Sequence, residues 1–192
     1  MPVRHETMYG SLDVDCDCSN TALFEAVAAK LPKDALWFHS PLKRTVQTAD
    51  ALIAAGAQPS IMTEDARIIE MDFGDLNGKR IDELVAERTD SYIGFFPVSP
   101  YEKAPNGEDF SDMCKRVGQF TDEMHANFTG QDIVCVAHRG TIMAALSIAL
   151  QLPLHTSVSF VIDNVSLSRL SRHKKQSDDG PEYKLAELGW IP

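Results

Sequence analysis

The chain has 192 residues, 44% of them hydrophobic and 24% charged, which excludes intrinsic disorder and suits one domain, residues 1–192, with a substantial core. Eighteen Lys and Arg against 28 Asp and Glu leave a net charge of −10. This disfavours a nucleic-acid partner, because polyanion binding rests on phosphate neutralisation, but admits a small anionic ligand if basic groups gather in one cleft.

No stretch approaches the roughly 18 apolar residues of a spanning helix, so no membrane partner is expected. Residues 1–6 lack the apolar core of a signal peptide, and the expectation is a cytoplasmic protein. Of the four cysteines, Cys16-Asp17-Cys18 has no second half to complete a zinc site. Cys114 and Cys135 fall in apolar patterns and read as small core residues. No disulfide framework is implied.

In chain order, Arg4-His5 closes a very short first strand. Residues 20–31 begin with a capping Asn20 and continue with helical apolar spacing, until Pro32 stops the helix. Residues 35–38 form a short apolar strand. Ser40 suits the N-cap of the next helix, with Pro41 at its first position and Leu42, Val46, Ala49 and Ile53 as its apolar face. Lys43 and Arg44 sit in its first turn, where the helix dipole disfavours cations; a bound anion would relieve that conflict.

Ile61-Met62 predicts a brief strand, and residues 68–78, with three carboxylates and two glycines, an irregular loop over a site. Residues 81–87 predict a short helix. Residues 91–107, with three prolines and the aromatics Tyr92, Phe95 and Phe96, read as a mobile connection that could serve as a lid. A long helix follows over 108–128, its stripe being Phe110, Met113, Val117, Phe120, Met124 and Phe128.

The continuous apolar run 133–137 predicts a buried central strand, and His138-Arg139-Gly140-Thr141 turns it into a helix over 142–150. Strand, tight turn and helix is where doubly wound sheets place ligands. Alternation at Val158, Phe160 and Ile162, then at Val165 and Leu167 across Asp163-Asn164, predicts a hairpin. After a polar loop over 173–182, Tyr183 and Leu185 mark a last strand. The class that emerges is α/β: a three-layer sandwich with a mostly parallel central sheet and helices on both faces.

Five pieces occur in one order: Arg4-His5, the run from Ser40 to Ala49 (Ser-Pro-Leu-Lys-Arg-Thr-Val-Gln-Thr-Ala), the run from Glu70 to Gly78, Pro105-Asn106-Gly107-Glu108, and His138-Arg139-Gly140-Thr141. In these the chain resembles the histidine phosphatase superfamily, with its phosphoglycerate-mutase-like fold. Tyr9-Gly10-Ser11-Leu12-Asp13 and the Pro-x-Gly-Glu piece look most like the alpha-ribazole phosphatase and small bacterial phosphatase branch.

The resemblance implies metal-independent hydrolysis of a small phosphorylated metabolite through a phosphohistidine, with no cofactor. It makes His5 the nucleophile, and Arg4, Arg44 and His138 the ligands of the phosphoryl oxygens, aided by N–H groups at the helix start after His138. Glu70, in preference to Asp72 and Asp75, becomes the acid and base. Thr7, Tyr9 and Arg139 are possible substrate contacts. His39, His125, His155 and His173 stay structural or exposed.

Two departures stand out. Glu6 follows His5 where the family has Gly, and the loop from His5 to Gly10 is several residues shorter than usual, which implies a more open pocket. A mutase would need a site closed against water, so it ranks second. A binding protein that kept the fold ranks third. These motifs fix neither the natural substrate nor the oligomeric state.

Overall fold

The computed structural model describes residues 7–87, 99–173 and 182–192. Arg4, His5, Tyr92, Phe95, Phe96 and most of the polar loop after His173 lie outside the described residues.

Helices and strands alternate through most of the chain: α1 (Thr21–Ala28), β1 (Leu36–His39), α2 (Lys43–Ala54), β2 (Ile61–Glu64), α3 (Ile81–Glu87), α4 (Phe110–Asn127), β3 (Ile133–Val136), α5 (Arg139–Leu150) and α6 (Leu154–Ser157). An antiparallel pair, β4 (Leu167–Arg172) and β5 (Tyr183–Trp190), completes the chain. In the other sheet β1 lies between β2 and β3, parallel to both, with His39 level with Glu64 and Val136.

Side chains on successive strand residues point to opposite faces, and the two faces of β1 meet different helices. Trp37 packs with Phe24 and Val27 of α1 and Ala49 and Leu52 of α2, whereas Phe38 packs with Phe120 and Met124 of α4. The Phe38 and Phe120 rings meet edge to face, 5.5 Å apart. Helices therefore cover both faces of the parallel sheet, and the three-layer α/β class holds. A further cluster joins Phe110, Met113 and Val117 of α4 to Met143 and Ala144 of α5, beneath Met71 and Phe73.

Asn20 and Asp109 cap α1 and α4, accepting the N–H groups of Leu23 and Asp112. All of the α4 stripe expected from periodicity is buried except Phe128, which is half-buried.

Several expectations are corrected. The buried face of α2 runs through Leu42, Thr45, Ala49 and Leu52, leaving Ile53 37% exposed. A polar residue takes the buried phase because the Thr45 hydroxyl donates to the carbonyls of Ser40 and Leu42. Ser40 is not the N-cap of α2, a place taken by Leu42. Residues 158–162 form no strand: Val158 and Ile162 are buried, which accounts for the alternation, but the hairpin is β4 with β5.

β3 is less enclosed than its apolar run suggests, since Cys135 is exposed on it. Of the connection expected over 91–107, residues 91–98 lie outside the described residues, and residues 99–107 are tied to the body of the chain. Pro100 is fully buried, the Pro105 carbonyl accepts the N–H of Asp75, and the Asn106 amide donates to the Asp75 carboxylate.

Candidate active site

His138 stands at the C-terminal end of β3, as N-cap of α5, and Arg44 stands in the first turn of α2, which follows β1. Because β1 and β3 are parallel neighbours, the segments that follow them emerge at the same edge of the sheet. The two side chains meet there: Arg44 Nε–H donates to His138 Nδ1 at 3.2 Å. On the other side of the imidazole, Nε2 lies 2.8 Å from the Ser40 hydroxyl.

The remaining nitrogens of Arg44 fix its fork against the loop that follows Thr7. Nη1 donates to the Leu12 carbonyl at 2.8 Å and Nη2 to the Gly10 carbonyl at 2.7 Å. Gly10 has φ +36, and a Cβ there would fall on the Asn77 side chain, the Phe73 ring and the Met71 carbonyl, so only glycine brings that carbonyl to the arginine. Tyr9 lies beneath the guanidinium, its ring centroid 5.2 Å away. Burial lowers the Arg44 pKa, and the Glu70 carboxylate nearby opposes that.

Glu70 follows the turn at Ala66–Ile68. Its Oε1 accepts the N–H of Met71 at 2.9 Å, and its Oε2 accepts the N–H of Gly140 at 3.3 Å. Burial raises its pKa against the pull of those two N–H groups and of Arg44 and Arg116. The Gly140 N–H, at the start of α5, is therefore turned to a carboxylate of the chain and not left for a phosphoryl oxygen as the sequence suggested.

The other two carboxylates of the loop have different duties. Asp72 Oδ1 accepts from Ser11, Gly74 and Asn77, and these bonds outweigh burial and lower its pKa. Asp75 accepts from Asn106. Neither lines the cleft, whereas Glu70 does.

His138 is held neutral. Burial, then the positive charges of Arg44 and Arg116, bring its pKa down to about 3.

Arg44, Glu70 and His138 line one cleft of about 560 Å³, together with Tyr9 and Arg139. From there the cleft runs along the edge of β3 that has no strand partner among the described residues, past Cys135, towards Val165. Thr7 does not line it and forms an isolated bridge with Arg80. Arg139 is exposed and donates to the Phe160 carbonyl at 3.0 Å. Among the described residues no group of three or more His, Cys, Asp or Glu is placed to hold a metal ion.

One contributor carries no sequence signal. Arg116 of α4 donates to the carbonyls of Arg67, Ile69 and Glu70, and pairs with the Glu108 carboxylate at 2.6 Å. Glu108 in turn accepts the N–H of Asp72 and donates its own N–H to the Asp72 carbonyl. The pair straps down the segment that carries Glu70. Glu108 belongs to the Pro-Asn-Gly-Glu motif, but nothing in the local pattern sets Arg116 apart from an exposed helix residue.

Comparison with known proteins is consistent with this arrangement. Residues 8–178 match the histidine phosphatase superfamily (branch 1). Phosphoserine phosphatase 1 of Hydrogenobacter thermophilus is 27% identical over 170 residues, which cover 88% of this chain and 80% of that protein. The probable phosphoglycerate mutase GpmB of Yersinia pestis is 30% identical over 152 residues, 79% of this chain and 66% of that one. A solved structure, mycobacterial glucosyl-3-phosphoglycerate phosphatase, superposes with a TM-score of 0.76 at 23% identity, covering 96% of this chain and 91% of that one.

Proposed function

The chain belongs to the histidine phosphatase superfamily (branch 1), and we propose that it hydrolyses small phosphorylated metabolites through a phosphohistidine on His5, without a metal ion. The observation that carries this reading is the convergence of Arg44, Glu70 and His138 on one cleft from three separate parts of the chain. A cation, a carboxyl with a raised pKa and a neutral imidazole are the equipment of phosphoryl transfer.

His138 is a poor nucleophile in this setting, because each of its ring nitrogens already has a hydrogen-bond partner. The attacking imidazole is then His5, as the motif order implies. Its lone pair attacks phosphorus and the ester P–O bond breaks. Glu70 gives its proton to the departing oxygen. In the second half Glu70 takes a proton from water, the hydroxide displaces the imidazole from phosphorus, and inorganic phosphate leaves. The raised pKa of Glu70 suits a group that must first be an acid.

Arg4 and Arg44 supply the positive charge that follows the phosphoryl oxygens, and His138 binds one of them. Tyr9 and Arg139 lie at the cleft and are assigned to the substrate's leaving group. Thr7, engaged at its bridge with Arg80, is assigned none of this.

The likeness to the phosphoserine and glucosyl-3-phosphoglycerate phosphatases supports a compact phosphorylated metabolite as substrate. The likeness to GpmB keeps the mutase as the second reading. We take residues 1–192 as one such domain, acting in the cytoplasm. No helix among the described residues is long and apolar enough to cross a membrane.

The test is incubation with p-nitrophenyl phosphate, phosphoserine and 3-phosphoglycerate in EDTA at mildly acidic to neutral pH. Release of inorganic phosphate that is lost in His5→Ala supports the reading. A strict requirement for magnesium, or isomerisation of 3-phosphoglycerate without release of phosphate, contradicts it.

A further inference from the structure

Ser40 has no part in the reaction described above, yet it is fully buried with its hydroxyl oxygen 2.8 Å from His138 Nε2. The same oxygen accepts the N–H of Leu42 at 3.3 Å. The other ring nitrogen, Nδ1, faces Arg44 Nε. A guanidinium can only donate, which fixes the direction of that bond: Nδ1 is the acceptor and carries no proton. The proton of the neutral ring is then on Nε2 and is donated to Ser40.

A phosphoryl oxygen also presents lone pairs, so it cannot rest against Nδ1 as that atom stands. We propose that Ser40 is a positioning residue for the phosphoryl subsite: it accepts the Nε2–H that the Arg44 donor dictates, so that Nδ1, the one basic atom of the ring, takes the proton of a monoanionic phosphoryl ligand while Nε2–H keeps its acceptor.

The P–O–H proton passes to Nδ1. The ligand becomes a dianion and the ring a cation, with no net change in charge. Arg44 releases Nδ1 and turns its Nε–H to a phosphoryl oxygen. The bond from Nε2–H to Ser40 persists through the change and strengthens, because its donor is now charged. Burial and Arg44 keep the ring neutral in the empty site, and the adjacent dianion reverses that balance.

The inference rests on the reading of His138 as a phosphate ligand, and it is tested separately from turnover. The ring nitrogens of His138 are observed by NMR in ¹⁵N-histidine-labelled protein, free and saturated with inorganic phosphate. In the free protein the proton is expected on Nε2 alone; with phosphate, both nitrogens are protonated. Ser40→Ala is expected to keep the Nε2–H tautomer that the Arg44 donor fixes, but to weaken phosphate binding about tenfold, the scale of one lost buried hydrogen bond, and to lower the fraction of doubly protonated ring with phosphate. Ser40→Thr, which keeps the hydroxyl, restores both.

Thr45→Ala disturbs the same turn without touching His138, and is expected to lower stability while leaving phosphate affinity and the protonation of the ring with phosphate unchanged. A free-protein proton on Nδ1, a Ser40→Ala variant with unchanged phosphate affinity and ring protonation, or a Thr45→Ala variant that loses both as Ser40→Ala does would overturn the proposal. A protein that shows the proton shift with phosphate yet hydrolyses no ester would uphold it while refuting the phosphatase reading.

Discussion

The carboxyl of Glu70 rests on the backbone N–H of Gly140, joining the loop before α3 to the first turn of α5 across 70 residues of sequence. A Cβ at position 140 would overlap Glu70 Oε1 and press on the Met113 side chain, its Sδ 3.2 Å away. Met113 is flexible enough to yield, but the carboxyl has no such freedom while its two N–H partners hold it. Gly140→Ala is therefore expected to fold with a modest loss of stability and to lose about tenfold to a hundredfold in kcat, the cost of misplacing a catalytic group. Thermal melting alongside steady-state kinetics on p-nitrophenyl phosphate checks both halves.

Glu70→Gln removes the proton and keeps the shape. Turnover is expected to fall by a factor of about 10² to 10⁴, the usual worth of general acid–base catalysis. The loss should be smaller for p-nitrophenyl phosphate, whose leaving group needs little protonation, than for an alkyl phosphate such as phosphoserine. Asp72→Asn makes the contrast. That carboxylate holds Ser11, Gly74 and Asn77, so its loss is expected to lower the melting temperature without producing this leaving-group dependence. Kinetics with the two esters distinguish the two behaviours.

Arg116→Met leaves Glu108 without its cation and takes a donor from three carbonyls, of which that of Ile69 keeps another, the Thr141 hydroxyl. Destabilisation of about 3 kcal/mol is expected, as for removal of one partner of a largely buried pair. Urea denaturation measures it. Arg116→Lys, a point charge that cannot fork to several acceptors, is expected to recover only part.

His138 makes stability depend on pH, with a sign set by its depressed pKa. Between about 3, its value in the folded chain, and about 6.5, the value of a free histidine, the unfolded chain binds a proton that the folded chain refuses. Its stabilisation is thus fully present above the unfolded value and is lost as pH falls through this window. Glu70 works the other way, because its folded pKa is raised: it favours the fold at low pH and loses that contribution as pH rises. Replacing His138 by Gln is expected to flatten the fall in urea midpoint between pH 6 and 4, while Glu70→Gln is expected to steepen it. A pH series of urea titrations on the three proteins checks this.

Much of the fold was legible because apolar residues carry it. The stripe from Phe110 to Met124 announces α4, and the apolar runs of β1 and β3 announce the parallel strands. The reading fails where polar residues do structural work. Thr45 occupies the buried face of α2 by satisfying its hydroxyl on local carbonyls, which shifts the apparent stripe by one residue. β4, Leu-Ser-Arg-Leu-Ser-Arg, shows no apolar alternation, whereas the more apolar 158–167 does and so mimics a hairpin.

At the site, Arg44, Glu70 and His138 were legible because their motifs are distinctive, and all three line one cleft. The roles of Ser40 and Arg116 were not, since each depends on a partner more than 45 residues distant in sequence, and only folding brings the two together.

The central claim is that the phosphoryl group passes through His5. Rapid quenching during turnover of a ³²P-labelled phosphomonoester, followed by peptide mapping in alkali, where phosphohistidine survives, tests it most directly. Label on His5, absent from His5→Ala and accumulating in Glu70→Gln, is the expected result. Hydrolysis that proceeds with no labelled histidine, or with the label on His138, would contradict the account.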